Sequence, residues 1–279
     1  MSDTSVVVMT STTVLQGHDP DPVLRGRGPV LLLAHGAGGG IAGNFGLVLD
    51  DLATDHTVIG PHMPGSMTNP RATTPLHLDD LADALVAAAV TRGYERFAVL
   101  GESLGSAVAV RAARRHPERV TALVLTAGFP VADPVLATAA QLIGALDRRD
   151  DIARLATVSC MSDAQLAQIT PQQLDAAVAA VATVMPAGTV DHFELAARVD
   201  VRADLPLIRA RTLVVVPTGD RLVLPASGRR LADGITGARL VELPGAAHVL
   251  DEPDRAQWLR IVRAFLAEST DPAASGSAP

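Results

Sequence analysis

The chain has 279 residues, 48% of them apolar and 19% charged, which is enough to bury a full core in one domain with an inserted subdomain. A net charge of −7 argues against nucleic acid as a partner, and no apolar stretch is long enough to span a bilayer. With no basic segment ahead of the short apolar run near the N-terminus, the expectation is a soluble cytoplasmic protein acting on a small molecule.

In chain order, residues 6–9 and 12–16 are predicted to form an opening hairpin, followed by a Pro- and Gly-containing loop. Residues 29–35 are a continuous apolar run, as in a strand buried on both faces of a parallel sheet. Residues 41–54 are predicted as a helix, 56–60 as a strand, 61–75 as a loop, and 76–92 as an Ala-rich amphipathic helix. A strand at 97–100, a helix from 107 to 116 and a strand at 120–126 follow. From 129 to 209 strand signals vanish, and helices are expected at 134–146, 163–169, 171–185 and 190–199. Sheet patterning resumes with strands at 211–217 and 239–243 and helices at 226–232 and 253–268, before a small polar tail at 269–279 that reads as disordered. Alternating buried strands and helices predict an α/β fold, a doubly wound and mostly parallel sheet. The core comprises 1–130 and 210–268, and residues 131–209 form a helical cap inserted over it.

The chemistry-bearing stretch is Gly101-Glu102-Ser103-Leu104-Gly105, a G-x-S-x-G between an apolar strand and a helix. Such a turn holds its serine in a strained conformation with the hydroxyl exposed above the sheet edge. The Leu104 amide, at the helix start, can face a developing oxyanion. A second glycine-rich loop, His35-Gly36-Ala37-Gly38-Gly39-Gly40, ends the first buried strand. It lacks the Lys-Ser/Thr pair of a phosphate-binding loop, so its amides, first that of Ala37 and otherwise that of Gly38, read as the other half of an oxyanion hole. Cys160, the sole cysteine, excludes an intrachain disulfide and reads as a packed residue. The eight histidines are scattered without H-E-x-x-H spacing, so neither a metal nor an organic cofactor is expected.

Four motifs occur in order: His35-Gly36-x-Gly38, Gly101-Glu102-Ser103-Leu104-Gly105, Gly219-Asp220-Arg221 and Gly245-Ala246-Ala247-His248. On these the chain resembles the α/β-hydrolase-fold superfamily over roughly residues 5–268, in particular its serine hydrolases with a helical cap. The family's serine–acid–histidine order implies a catalytic triad of Ser103, Asp220 and His248. Serine needs a base to accept its proton, histidine titrates near neutrality, and the acid fixes the imidazole tautomer. Asp133 is the rival acid, because some family members place it after the strand that follows the serine helix. His62 stands where such proteins often carry a structural aspartate, and Glu102 is an acidic choice at a variable position.

Of the seven aromatic residues, only Phe45, Phe129 and Phe193 are placed to line a pocket. With Met63, Leu104, Val223, Val249 and the loop histidines His35 and His62 they predict a mostly aliphatic lining, suited to an aliphatic or mixed acyl group. The expected reaction is cleavage of a small to medium carboxylic ester, thioester or lactone. The same fold also hosts carbon–carbon bond hydrolases, lyases, cyclases, cofactor-free oxygenases and ligand receptors.

Overall fold

A computed structural model describes residues 22–268. The predicted opening hairpin and the C-terminal tail lie outside the described residues.

Seven strands form one sheet in the order β1-β3-β2-β4-β5-β6-β7. They are β1 (Val23–Arg25), β2 (Val30–Ala34), β3 (Thr57–Gly60), β4 (Phe97–Glu102), β5 (Val120–Thr126), β6 (Arg211–Pro217) and β7 (Arg239–Leu243). All neighbours are parallel except β1, which pairs antiparallel with β3 at the edge. The sequence pattern missed β1, whose residues are half-buried or exposed and show no apolar run. The central strands alternate between two cores. Leu32, Val99, Leu123, Leu125, Val214 and Val216 point to one, and Leu31, Leu33, Leu100, Val124, Leu213 and Val215 to the other. A strand with both faces covered has no polar side, which is why these segments read as unbroken apolar runs.

The second core is closed by α1 (Ile41–Phe45), α2 (Leu49–Asp55) and α11 (Glu252–Ala267). The single helix expected at 41–54 is in fact two. Gly43 and Gly46 each disfavour helix by about 1 kcal/mol relative to alanine, and the chain turns where the Val48 amide bonds the Phe45 carbonyl. The first core is closed by α3 (Leu78–Val90), α4 (Leu104–Arg115) and α10 (Pro225–Gly234).

Five α-helices lie between β5 and β6, namely α5 (Pro134–Ala145), α6 (Arg149–Cys160), α7 (Asp163–Gln168), α8 (Pro171–Val184) and α9 (Thr189–Arg198), followed by one short 3-10 turn (Leu205–Leu207). α7 and α8 start at reciprocal capping boxes, Ser162 with Gln165 and Thr170 with Gln173. α6 was not predicted. Only Ile152 and Ala153 of it are buried, too few to print a helical stripe on the sequence. Its Arg149 guanidinium bonds the carbonyls of Ala182 and Met185 at the end of α8.

Among the described residues no single helix is long and apolar enough to cross a membrane; α8 and α9 pass only as a pair bent by 95°. β2 leads to its neighbour on one side through α1 and α2, while β4 leads the other way through α4 on the opposite face. The carboxyl ends of β2 and β4 are therefore the topological switch point, where open α/β sheets bind ligands.

Candidate active site

Ser103 occupies the turn between β4 and α4, at φ 53° and ψ −120°. A non-glycine residue there is strained and persists only where its surroundings over-determine it. They do so here. The Ser103 amide donates to the Thr126 carbonyl (3.0 Å), and the Ser106 hydroxyl donates to the Gly101 carbonyl (2.9 Å). A Cβ on Gly101 would overlap Gly105, and one on Gly105 would overlap the Ala34 carbonyl, so these glycines let helix, turn and strand approach to backbone contact. Leu104 is the first residue of α4, where an amide has no helical carbonyl four residues before it.

Asp220 follows β6 and His248 follows β7, and the sheet brings both to the same edge. Asp220 Oδ1 accepts the amides of Leu222 and Val223 (2.9 Å each), and Oδ2 lies 2.6 Å from His248 Nδ1. Both side chains are buried. The rival acid Asp133 is committed elsewhere. Its Oδ1 caps α5 through the amides of Val135 and Leu136, and its Oδ2 accepts the Leu224 amide (3.0 Å) and the Ser227 hydroxyl (2.9 Å). Asp133 thus fastens the start of the helical insertion to the loop that carries Asp220.

Burial pulls the His248 pKa down, but the charge and hydrogen bond of Asp220 and the charge of Glu102 outweigh it and hold the imidazole above its ordinary value. Glu102 hydrogen-bonds Asn44 of α1 and lies within electrostatic reach of His248. Burial raises its carboxyl, opposed by the pull of His248 and the Asn44 bond. Cys160, at the end of α6, sits near Asp220 and Glu102. Burial first, then those two charges, push its thiol up to about 12, which keeps it protonated and inert. Its carbonyl accepts the Val249 amide (3.4 Å), joining the insertion to the His248 loop.

The glycine-rich loop passes beside the serine: a Cβ on Gly36 would sit 3.2 Å from Ser103 Cβ. His35 Nε2 accepts the Met63 amide (3.0 Å), so the ring proton is on Nδ1, which donates to the Gly36 carbonyl (2.9 Å). His35 is fully buried, and burial depresses it to about 3. It therefore holds the loop and lines no pocket. Gly38, the alternative oxyanion donor, is corrected: its amide already donates to His192 Nδ1 (3.2 Å).

The remaining predicted pocket residues divide. Phe45 packs in the core closed by α1, α2 and α11, away from the insertion, so it is not a pocket residue; its helix turned out to cover the other sheet face. Phe129 is wholly buried in the first core and offers no surface to a ligand. Phe193 of α9 lies against Gly38, while Met63 and Val223 are buried in the first core. His62 is half-buried, 6.2 Å from His35 between ring centroids, and its Nδ1 has no partner among the described residues. Val249 is 57% exposed, more open than a pocket lining requires. A cleft of 530 Å³ between the start of α3, the middle of α4 and the end of α9, lined by His77, Asp79, Arg111 and Arg198 among others, includes none of the predicted site residues. Sequence reasoning missed His192 and Asn44. A histidine in an amphipathic helix carries no local signal when its partners, Gly38 and Pro64, lie 154 and 128 residues away.

A seven-stranded α/β sheet with a strained serine between strand and helix, and a buried aspartate–histidine pair at the same sheet edge, defines the α/β-hydrolase class. The family model described as alpha/beta hydrolase fold matches residues 29–251, and the chain belongs to that family. It is 28% identical over 247 residues to pyrrolizixenacetamide deacetylase of Xenorhabdus hominickii, covering 87% of this chain and 92% of that protein. It is 31% identical over 165 residues to the pimeloyl-(acyl-carrier protein) methyl ester esterase of Aromatoleum aromaticum, covering 54% of this chain and 66% of that one. Among solved structures, the enol-lactonase of Burkholderia xenovorans superposes with a TM-score of 0.77 at 22% identity, over 88% of this chain and 96% of the other. These relatives are hydrolases by name.

Proposed function

We propose that the protein is a serine hydrolase that cleaves a small to medium carboxylic ester, thioester or lactone through an acyl-enzyme on Ser103. The observation that carries this reading is the buried 2.6 Å contact between Asp220 Oδ2 and His248 Nδ1, at the sheet edge that also bears the strained Ser103 turn. With its proton held on Nδ1 by the carboxylate, the imidazole presents an Nε2 lone pair as base.

In the proposed cycle Ser103 Oγ attacks the substrate carbonyl carbon and its proton passes to His248. The tetrahedral oxyanion is held by the amides of Leu104 and Ala37. Collapse breaks the bond to the alcohol or thiol, which leaves with the proton from His248. Water then attacks the acyl-enzyme as His248 takes its proton, and the acid is released with Ser103 restored. The helical insertion, residues 131–209, acts as the cap, which is supported by the bonds of Gly38 to His192 and of Val249 to Cys160. Phe193, Met63 and Val223 are apolar, which fits an aliphatic acyl group. The names of the two sequence relatives, a deacetylase and a methyl ester esterase, fit acyl transfer as well.

The test is labelling with a fluorophosphonate probe, read by intact mass and peptide mapping, followed by an ester and thioester chain-length panel. Addition of one probe at Ser103, lost in Ser103→Ala, is expected. A folded protein that neither labels at Ser103 nor turns over any ester in the panel refutes the reading.

A further inference from the structure

Resting on that reading, we propose that His192, on α9 of the helical insertion, is a positioning residue that sets the oxyanion-binding amide of Ala37 by holding the next peptide unit. The stretch from Gly36 to Gly40 has Ala37 as its one side-chain-bearing residue, so nothing in its own sequence dictates a shape. The shape is imposed by contacts from outside.

Two histidines supply it at Ala37. The Gly36–Ala37 peptide is gripped by its carbonyl, which accepts from His35 Nδ1 (2.9 Å). Because a trans peptide is planar with its N–H opposed to its C=O, holding that carbonyl fixes the direction of the Ala37 N–H. The following Ala37–Gly38 peptide is gripped by its N–H, which donates to His192 Nδ1 (3.2 Å). The two peptide planes flanking the Ala37 Cα are thus each pinned by a histidine, and the amide of Ala37 is the donor left between them.

The sequence is arranged for this grip. Gly38 has φ +67°, a left-handed conformation that costs glycine little, and a Cβ there would press 3.1 Å from Thr189 and 3.4 Å from Phe193 of α9. His192 is fully buried and its tautomer is determined: because Nδ1 accepts from Gly38, Nε2 carries the proton and donates to the Pro64 carbonyl (2.8 Å). Burial keeps the ring neutral at ordinary pH, against the pull of the Pro64 bond and of Asp191, which preserves the acceptor. The rings of His35 and His192 are 6.0 Å apart. Near His192 the insertion is also anchored by the Gly188 amide on the Gly65 carbonyl (3.0 Å) and by a bidentate pair between Arg71 and Asp191 (2.8 and 2.7 Å).

Two amide substitutions separate the two hydrogen bonds of the ring. In His192→Asn the shorter side chain can place Oδ1 where Nδ1 stood, keeping an acceptor for Gly38 and losing Pro64. In His192→Gln the longer side chain can reach Pro64 with its NH2 group and loses the acceptor for Gly38. The readouts are kcat and KM on an ester hydrolysed by the parent, and affinity for a boronic acid, whose tetrahedral adduct occupies the oxyanion site. Loss of a whole oxyanion donor costs about 10² to 10³ in kcat, and misorientation of one donor less, so His192→Gln is expected to lower kcat about 10- to 100-fold. KM should stay within about threefold and boronate affinity should fall in step with kcat, because the bond acts on the transition state. His192→Asn is expected to keep kcat within about fivefold of the parent.

Asp191→Asn serves as the control for general anchoring: it weakens the exposed ion pair on the same helix and is expected to leave kcat unchanged. The proposal is overturned if His192→Gln keeps full kcat, if its loss lies in KM, if His192→Asn is equally impaired, or if Asp191→Asn impairs kcat as much. Hydrolysis that survives Ser103→Ala would instead sink the functional reading.

Discussion

The choice of acid can be decided by one substitution, Asp220→Asn. Two backbone amides, those of Leu222 and Val223, point at Oδ1 from 2.9 Å and demand an acceptor there. The asparagine carbonyl oxygen will therefore take the Oδ1 position, since the reverse orientation sets two N–H groups against an NH2 group at a cost of about 1–3 kcal/mol for each unmet donor. That orientation turns the asparagine NH2 toward His248 Nδ1, 2.6 Å from the present Oδ2. Nδ1 must then accept, the ring proton moves to Nε2, and the base can no longer take a proton from Ser103. The expected loss in kcat is about 10³- to 10⁴-fold. At about 1.4 kcal/mol per tenfold this is about 4–5.5 kcal/mol of transition-state stabilisation. The assay is steady-state hydrolysis of an ester that the parent turns over, with the melting temperature as a check on folding. Asp133→Asn is the counterpart. It turns an NH2 group toward the Leu224 amide and the Ser227 hydroxyl, so it should destabilise the fold by about 1–3 kcal/mol while leaving kcat of the folded enzyme within about threefold. Near-parent activity in Asp220→Asn together with an inactive but folded Asp133→Asn would refute the assignment.

Two pH effects follow from the buried histidines. His248 must be neutral to act as base and its pKa is held above 6.5, so kcat/KM should fall as pH drops through that raised value; Glu102→Gln removes one of the charges that raise it and should move the acid limb to lower pH in a pH–rate profile. Stability responds through His35, whose folded pKa of about 3 lies below its unfolded value of 6.5. Between those values the unfolded chain binds more protons, so stability rises with pH and is lost on acidification at up to about 1.4 kcal/mol per pH unit. Denaturant melts at pH 7, 6 and 5 should show this decline, and His35→Gln should flatten it; an equal slope in the variant would assign the effect to other groups.

Much of this protein is legible locally. β2, β5 and β6 are recognisable because a strand covered on both sides must be apolar throughout, and the Ser103 turn is recognisable because helix and strand can meet there only over Gly101 and Gly105. The capping box at Thr170 is likewise written within four residues. β1, α6 and the break after Phe45 were not legible. β1 exists through pairing with a strand over thirty residues away, and α6 is held by packing and by Arg149 on the end of α8.

The amino-acid sequence by itself determined the order of the buried strands and of most helices, the strained position of the serine and the chemical types available at the sheet edge, because these follow from side-chain periodicity and backbone sterics over a few residues. Only the tertiary structure decided that Asp220 meets His248 while Asp133 is taken by Leu224 and Ser227, that Phe45 faces the core away from the insertion, and that His192 takes the Gly38 amide. Those outcomes are hydrogen bonds and packing between segments separated by tens to more than a hundred residues. Their geometry is set by strand order and helix placement, and no single segment records it.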